Sequence, residues 1–181
     1  MYKDVFKNII TNNLRYISTG WTRIIPYRNL IESHSINVGK NNCSPADLFL
    51  EFGNDLDKVL RLRCECKQIE GHEVYRFKIE DVENNEDHIK SNVSIQVGEI
   101  IKSIQIFETY NDLKNDVKSD EEYFPNAIIL EFNSGKNLLI WGQEGDDQCE
   151  PCQRLTFLNS VEIEEYRNKW MKQWQKLYKF E

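Results

Sequence analysis

The chain has no glycine-rich phosphate loop, no dinucleotide fingerprint and no Walker motif, so no segment of it is built to cradle a nucleotide. Histidine is scarce. His34, His72 and His88 are the only three, and none stands in an H-x-x-x-H or H-E-x-x-H arrangement that would hold a catalytic metal. No Gly-x-Ser-x-Gly elbow supports a Ser–His–Asp site. No apolar run approaches the ~20 residues that span a bilayer. Residues 1–17 carry Lys3, Asp4, Lys7 and Arg15 among their apolar positions, which is not the form of a secretory signal. The sequence therefore predicts no cofactor and no membrane partner, and it shows no catalytic constellation.

Cysteine is present in an odd number, five, with no exported-protein framework around it. A reducing compartment, the cytoplasm, is the expectation. Cys64, Cys66, Cys149 and Cys152 together equal the four ligands of a tetrahedral zinc. Strand parity speaks against that site. Cys64 and Cys66 fall on the side of Leu60 and Leu62, opposite Arg61, Arg63 and Glu65, which makes them core residues. Cys149 and Cys152 are flanked by Asp146, Asp147 and Glu150, a setting that disfavours a reactive thiolate. No metal is expected.

Hydrophobic residues make up 40 % of the 181 positions and charged residues 29 %, a globular balance and a length suited to a single domain over 1–181. Thirty acids against 23 bases leave a net charge of −7. Phosphate backbones repel such a chain, so nucleic acid is not an expected partner. A basic protein is.

Tyr2, Val5, Phe6, Ile9, Ile10 and Leu14 recur at helical spacing and predict an N-terminal amphipathic helix. From residue 21 to about 158 the period changes to that of strands. Candidates are 22–27, 30–38, 47–52, 58–68, 73–80, 93–97, 100–109, 127–132, 137–142 and 154–158. Short turns between them predict an antiparallel meander. The polar segments 81–92 and 111–123 read as loops. Asn159 and Glu162 form a capping box, after which Ile163, Tyr166, Trp170, Trp174 and Leu177 predict a C-terminal amphipathic helix over 160–180. The fold class expected is α+β: a mainly antiparallel sheet or partly open barrel with amphipathic helices at both ends.

Two segments look alike. Pro45-Ala46-Asp47-Leu48-Phe49-Leu50-Glu51-Phe52 resembles Pro125-Asn126-Ala127-Ile128-Ile129-Leu130-Glu131-Phe132, and residues 29–33 resemble 99–103 in the same order. This predicts an internal duplication with repeats over 21–80 and 93–158. Glu51 and Glu131 then hold matching places. If they faced each other across a groove, a carboxylate pair ~5–9 Å apart would suit glycosidase-like hydrolysis.

Asp81, Glu83, Asn85 and Asp87 alternate as in a calcium loop, but Glu86 and Asn92 stand where that loop needs Gly and Glu. The acids are better read as a surface. Asp81, Glu83, Glu86, Asp87, Asp116, Asp120, Glu121, Glu122, Glu144, Asp146 and Asp147 fall in three segments, 80–87, 112–122 and 144–150. The expected function is a non-enzymatic bacterial protein-binding module. It would be of the immunity type, laying an acidic surface over the basic active site of a toxin. The aromatic stripe of the C-terminal helix is expected to pack on the sheet as core, and an exposed part of it would serve a partner or a second copy of the chain.

Overall fold

A computed structural model of the chain describes residues 2–19, 23–26, 34–38, 47–53, 58–69, 71–82, 93–108, 123–124, 127–144, 151–169 and 174–181. It opens on helix α1 (Tyr2–Ile9), which buries Tyr2, Phe6 and Ile9. The helical spacing continues to Leu14, but the helix does not. The Asn12 side-chain amide donates to the carbonyls of Asn8 (2.8 Å) and Ile10 (3.3 Å), closing the helix end. Asparagine and threonine compete with helical backbone in this way. Thr11 takes a φ of 67°, a left-handed conformation that turns the chain back. Leu14 then reaches the core from strand β1 (Asn13–Thr19) and is fully buried there.

The remaining strands are β2 (Arg23–Pro26), β3 (His34–Val38), β4 (Asp47–Gly53), β5 (Lys58–Ile69), β6 (His72–Asp81), β7 (Val93–Glu108), β8 (Tyr123–Phe124), β9 (Ala127–Phe132), β10 (Asn137–Glu144), β11 (Pro151–Leu158) and β12 (Gln175–Phe180). Helix α2 (Ser160–Lys169) lies between β11 and β12. Among the described residues the strands form one antiparallel sheet in the order β2-β3-β11-β10-β9-β7-β1-β4-β5-β6-β8, with β12 also on β7. The expected strands 93–97 and 100–109 are one. Opposite β1, β7 carries an extra residue between Gln96 and Glu99, and Gly98 bends it at a φ of 66°. Such a bulge turns a strand without ending it. The first half of β7 pairs with β1. Its second half runs between β9 and β12.

The bend lets the two arms of the sheet face each other. Leu48, Leu50, Phe52, Leu60, Leu62, Cys64 and Phe77 of one arm share a core with Ile104, Ile128, Leu130, Phe132, Leu138, Ile140 and Leu155 of the other, closed by α1. Gly142 is needed at this contact, since a β-carbon there would overlap the Cys64 sulfur. A second core lies on the outer side of β9–β11. There Ile163 and Tyr166 of α2 cover Phe107, Ala127, Ile129, Leu139 and Leu158. The run Ala127-Ile128-Ile129-Leu130 is apolar without a break because both of its faces are buried.

The capping box forms as expected. Asn159 Oδ1 accepts from the amides of Val161 and Glu162, both at 2.9 Å, and Glu162 accepts from the Asn159 amide at 2.8 Å. The helix nevertheless does not extend to 180. Gln175–Phe180 is a strand on the free edge of β7, pairing from Glu108 to Ile104. Within this segment only Tyr178-Lys179-Phe180 alternates strictly, so the local pattern is weak and the open edge of β7 decides for a strand. Phe180 meets Phe6 with ring centroids 5.9 Å apart, and Tyr178 meets Tyr2 at 6.4 Å. Trp174 packs on Trp141 at 5.2 Å and on Phe107 at 6.3 Å. No helix of the described residues is long and apolar enough to cross a membrane.

Candidate functional site

Strand β6 gathers the anchor points of all three acidic segments. Asp81, exposed at its end, forms an ion pair with Lys58, and the Val82 amide donates to the Val59 carbonyl at 2.9 Å. The first segment departs from there. The second is tied to β6 at both ends. Before it, Glu108 is bound by Arg76 through contacts of 2.9 and 3.2 Å. After it, Tyr123 pairs with Lys78 and Phe124 with Phe77. The third segment begins at Glu144, two residues beyond Gly142, which sits against the Phe77 ring. Asp81 is thus placed at this rim. Glu144 ends β10, with its side chain outside the described residues. Glu83, Glu86, Asp87, Asp116, Asp120, Glu121, Glu122, Asp146 and Asp147 also lie outside them.

The Arg76–Glu108 pair escapes a reading of the sequence. Arg76 alternates with the core residues Tyr75 and Phe77, so parity turns it away from them, yet only 4 % of its side chain is exposed and 12 % of that of Glu108. Its guanidinium also donates to the Tyr75 carbonyl at 3.1 Å. A buried, two-point arginine–carboxylate contact fixes geometry as well as charge. The only sequence signal is a charged residue inside the apolar run Val74-Tyr75-Arg76-Phe77.

Glu51 and Glu131 are not brought together. Glu51 lies opposite Tyr16 of β1, and Tyr16 lies opposite Gln96 of β7. Glu131 lies opposite Ser103, seven residues further along β7. Two strands separate them, three inter-strand steps of ~4.8 Å each, and both are on the side away from the central core. Glu131 accepts from Lys102 Nζ at 2.7 Å and from the Ser103 hydroxyl at 2.8 Å. The Lys102 hydrogen bond, against the opposing effect of burial and with help from Ser103, holds its carboxyl below the ordinary value. A general acid needs the opposite shift.

Glu80 is lowered as well. Burial works against its charge, but hydrogen bonds from Arg61 and Lys78 outweigh that. Carboxyls depressed in the folded state favour folding above their unfolded pKa of ~4.3, and that contribution disappears as pH falls through the folded value. Stability should therefore drop below about pH 4.5. Glu131→Gln should be less stable than the parent at pH 7 and converge on it as pH falls through the lowered folded value. Urea midpoints across that range measure this, and a gap independent of pH would contradict it.

Cys64 is fully buried and fills the space left by Gly142. Cys66 is half-buried against the same core. Both serve packing. Cys152 pairs opposite Gln143 in the β10–β11 ladder, with its side chain outside the described residues, as is the whole of Cys149. Among the described residues no three His, Cys, Asp or Glu side chains group to hold a metal ion. In comparisons with family models, with curated proteins and with solved structures, nothing matches this chain.

Proposed function

We propose that this chain is a non-enzymatic, cytoplasmic protein-binding module of the bacterial immunity type, which holds a basic partner protein against an acidic rim around β6. A scaffold of two similar β-units carries that rim. The supporting observation is the convergence on β6 of the anchors of all three acidic segments. Their composition gives it force. Fourteen of the chain's 30 acids and two of its 23 bases lie in 80–87, 112–122 and 144–150, so the rest of the chain holds 16 acids against 21 bases. The acidity belongs to these segments and not to the molecule at large. Fields of one sign concentrated at one edge speed encounter with an oppositely charged surface and orient it.

The test is recovery of a basic partner from the native source at low and at high salt, with three variants that each replace the acids of one segment by Asn and Gln. Binding should weaken in each variant and fall with salt in the parent. Recovery by all three variants equal to that of the parent would overturn the reading.

A further inference from the structure

Apart from β2, beyond β3, and β12, on β7, the described sheet runs outward from its centre through matching strands in both directions. From β1 it runs β4, β5, β6, β8, and from β7 it runs β9, β10, β11, β3. The registers agree residue by residue. Leu14, Tyr16 and Ile17 lie opposite Phe52, Glu51 and Leu50. Ile101, Ser103 and Ile104 lie opposite Phe132, Glu131 and Leu130. Each inner strand carries one extra residue at the same place, Arg15 in β1 and Lys102 in β7, and each is basic. Leu50 then pairs with Leu60 as Leu130 pairs with Leu138, and Leu48 with Leu62 as Ile128 with Ile140. Leu62 pairs with Ile79 as Ile140 pairs with Leu155. The correspondence 45–52 with 125–132 read from sequence keeps its register here. Residues 29–33 lie outside the described residues, and the strand standing to β4 as the second half of β7 stands to β9 is β1.

Two positions meet their own counterparts. Asn13 matches Ile100, and the two are paired with each other in the β1–β7 ladder. Next to them the Ile101 amide donates to the Asn12 carbonyl at 3.1 Å. Cys64 matches Gly142, and these two are in contact across the core. A position that touches its own counterpart lies on a twofold axis. The connections follow the same rule. The segment between β1 and β4 supplies β3 to the edge of β11, and the segment between β7 and β9 supplies β8 to the edge of β6. Each half completes the sheet of the other.

We infer that the chain is a fused, strand-exchanged dimer of one β-unit, with its pseudo-twofold axis through the Asn13–Ile100 pair and the Cys64–Gly142 contact. Identical chains must place the same residue on both sides of such an axis. Fusion frees the two to differ, and here one side supplies a sulfur while the other supplies only hydrogen. The inference stands apart from the partner-binding reading and does not depend on it.

The experiment exchanges the axis residues in the full chain under reducing conditions. Gly142→Cys alone overfills the contact and Cys64→Gly alone empties it. Each should lower Tm by about 3–10 °C. The double variant C64G/G142C should recover most of that loss, because the axis makes 64 and 142 equivalent backbone positions, with Phe77 opposite the one and Gln153 opposite the other. A double variant no more stable than the poorer single would overturn the axis. A second measurement tests the exchange of strands. The folded chain, carrying a protease site within 83–92, is cut there and passed over a sizing column. The two pieces should elute together as a 1:1 complex, and separation in buffer would overturn the exchange.

Discussion

Replacing Arg76 by alanine is expected to cost about 3–5 kcal/mol of stability, as removal of one member of a buried ion pair does. The guanidinium is nearly inaccessible and contacts Glu108 at two points. Without it the Glu108 carboxylate keeps its position at the end of β7 but loses the charge that offset its removal from water. Glu108→Gln should be milder, since the amide still fills the space and accepts a hydrogen bond. Replacing both residues together, R76M with E108L, should cost much less than R76A alone, because neither charge then has to be buried. A double-mutant cycle in urea measures the coupling. An R76A loss under 1 kcal/mol would mean that the pair is solvated in solution. Because Glu108 lies four residues before the second acidic segment, R76A should also weaken partner binding beyond what its stability loss explains.

Phe52→Ala and Phe132→Ala should each cost about 3–5 kcal/mol, the usual range for a buried phenylalanine in a close-packed core. Both rings are essentially inaccessible and belong to the central core. They occupy matching places, Phe52 opposite Leu14 and Phe132 opposite Ile101. The two losses should therefore agree to within about 1 kcal/mol, although the sites lie in different arms of the sheet. Guanidinium unfolding of both variants measures this. A large difference would mean that the arms have diverged in packing despite their common register.

Much of the sheet could be read from residue types alone. Segments such as 58–69 alternate Leu60, Leu62 and Cys64 with Arg61, Arg63 and Glu65, and one buried face explains that alternation. The two errors in helix extent have one cause. Leu14 and Leu177 continue a helical spacing by chance, and a spacing cannot report that a sheet edge is available nearby. The candidate strands 93–97 and 100–109 part at Gly98, where β7 bends at a bulge without ending. The resemblance of 45–52 to 125–132 was legible because both segments meet the same demands on β-propensity and burial. Its meaning lay in the ladders, which no linear reading contains. The Arg76–Glu108 pair was illegible for a related reason, since its members are 32 positions apart.

The exchange of β3 onto β11 bears on the order in which the chain can fold during synthesis. β3 ends at Val38 and its partner strand begins at Pro151. At translation rates of ~5–20 residues per second, β3 waits on the order of 5–20 s before the strand it lies on exists. The β2–β3 hairpin is too short to be stable alone, and through that interval it is an unpaired edge. The nascent chain thus holds a sticky segment open until about its last sixth emerges, and chaperones that shield exposed strand edges would act on it there.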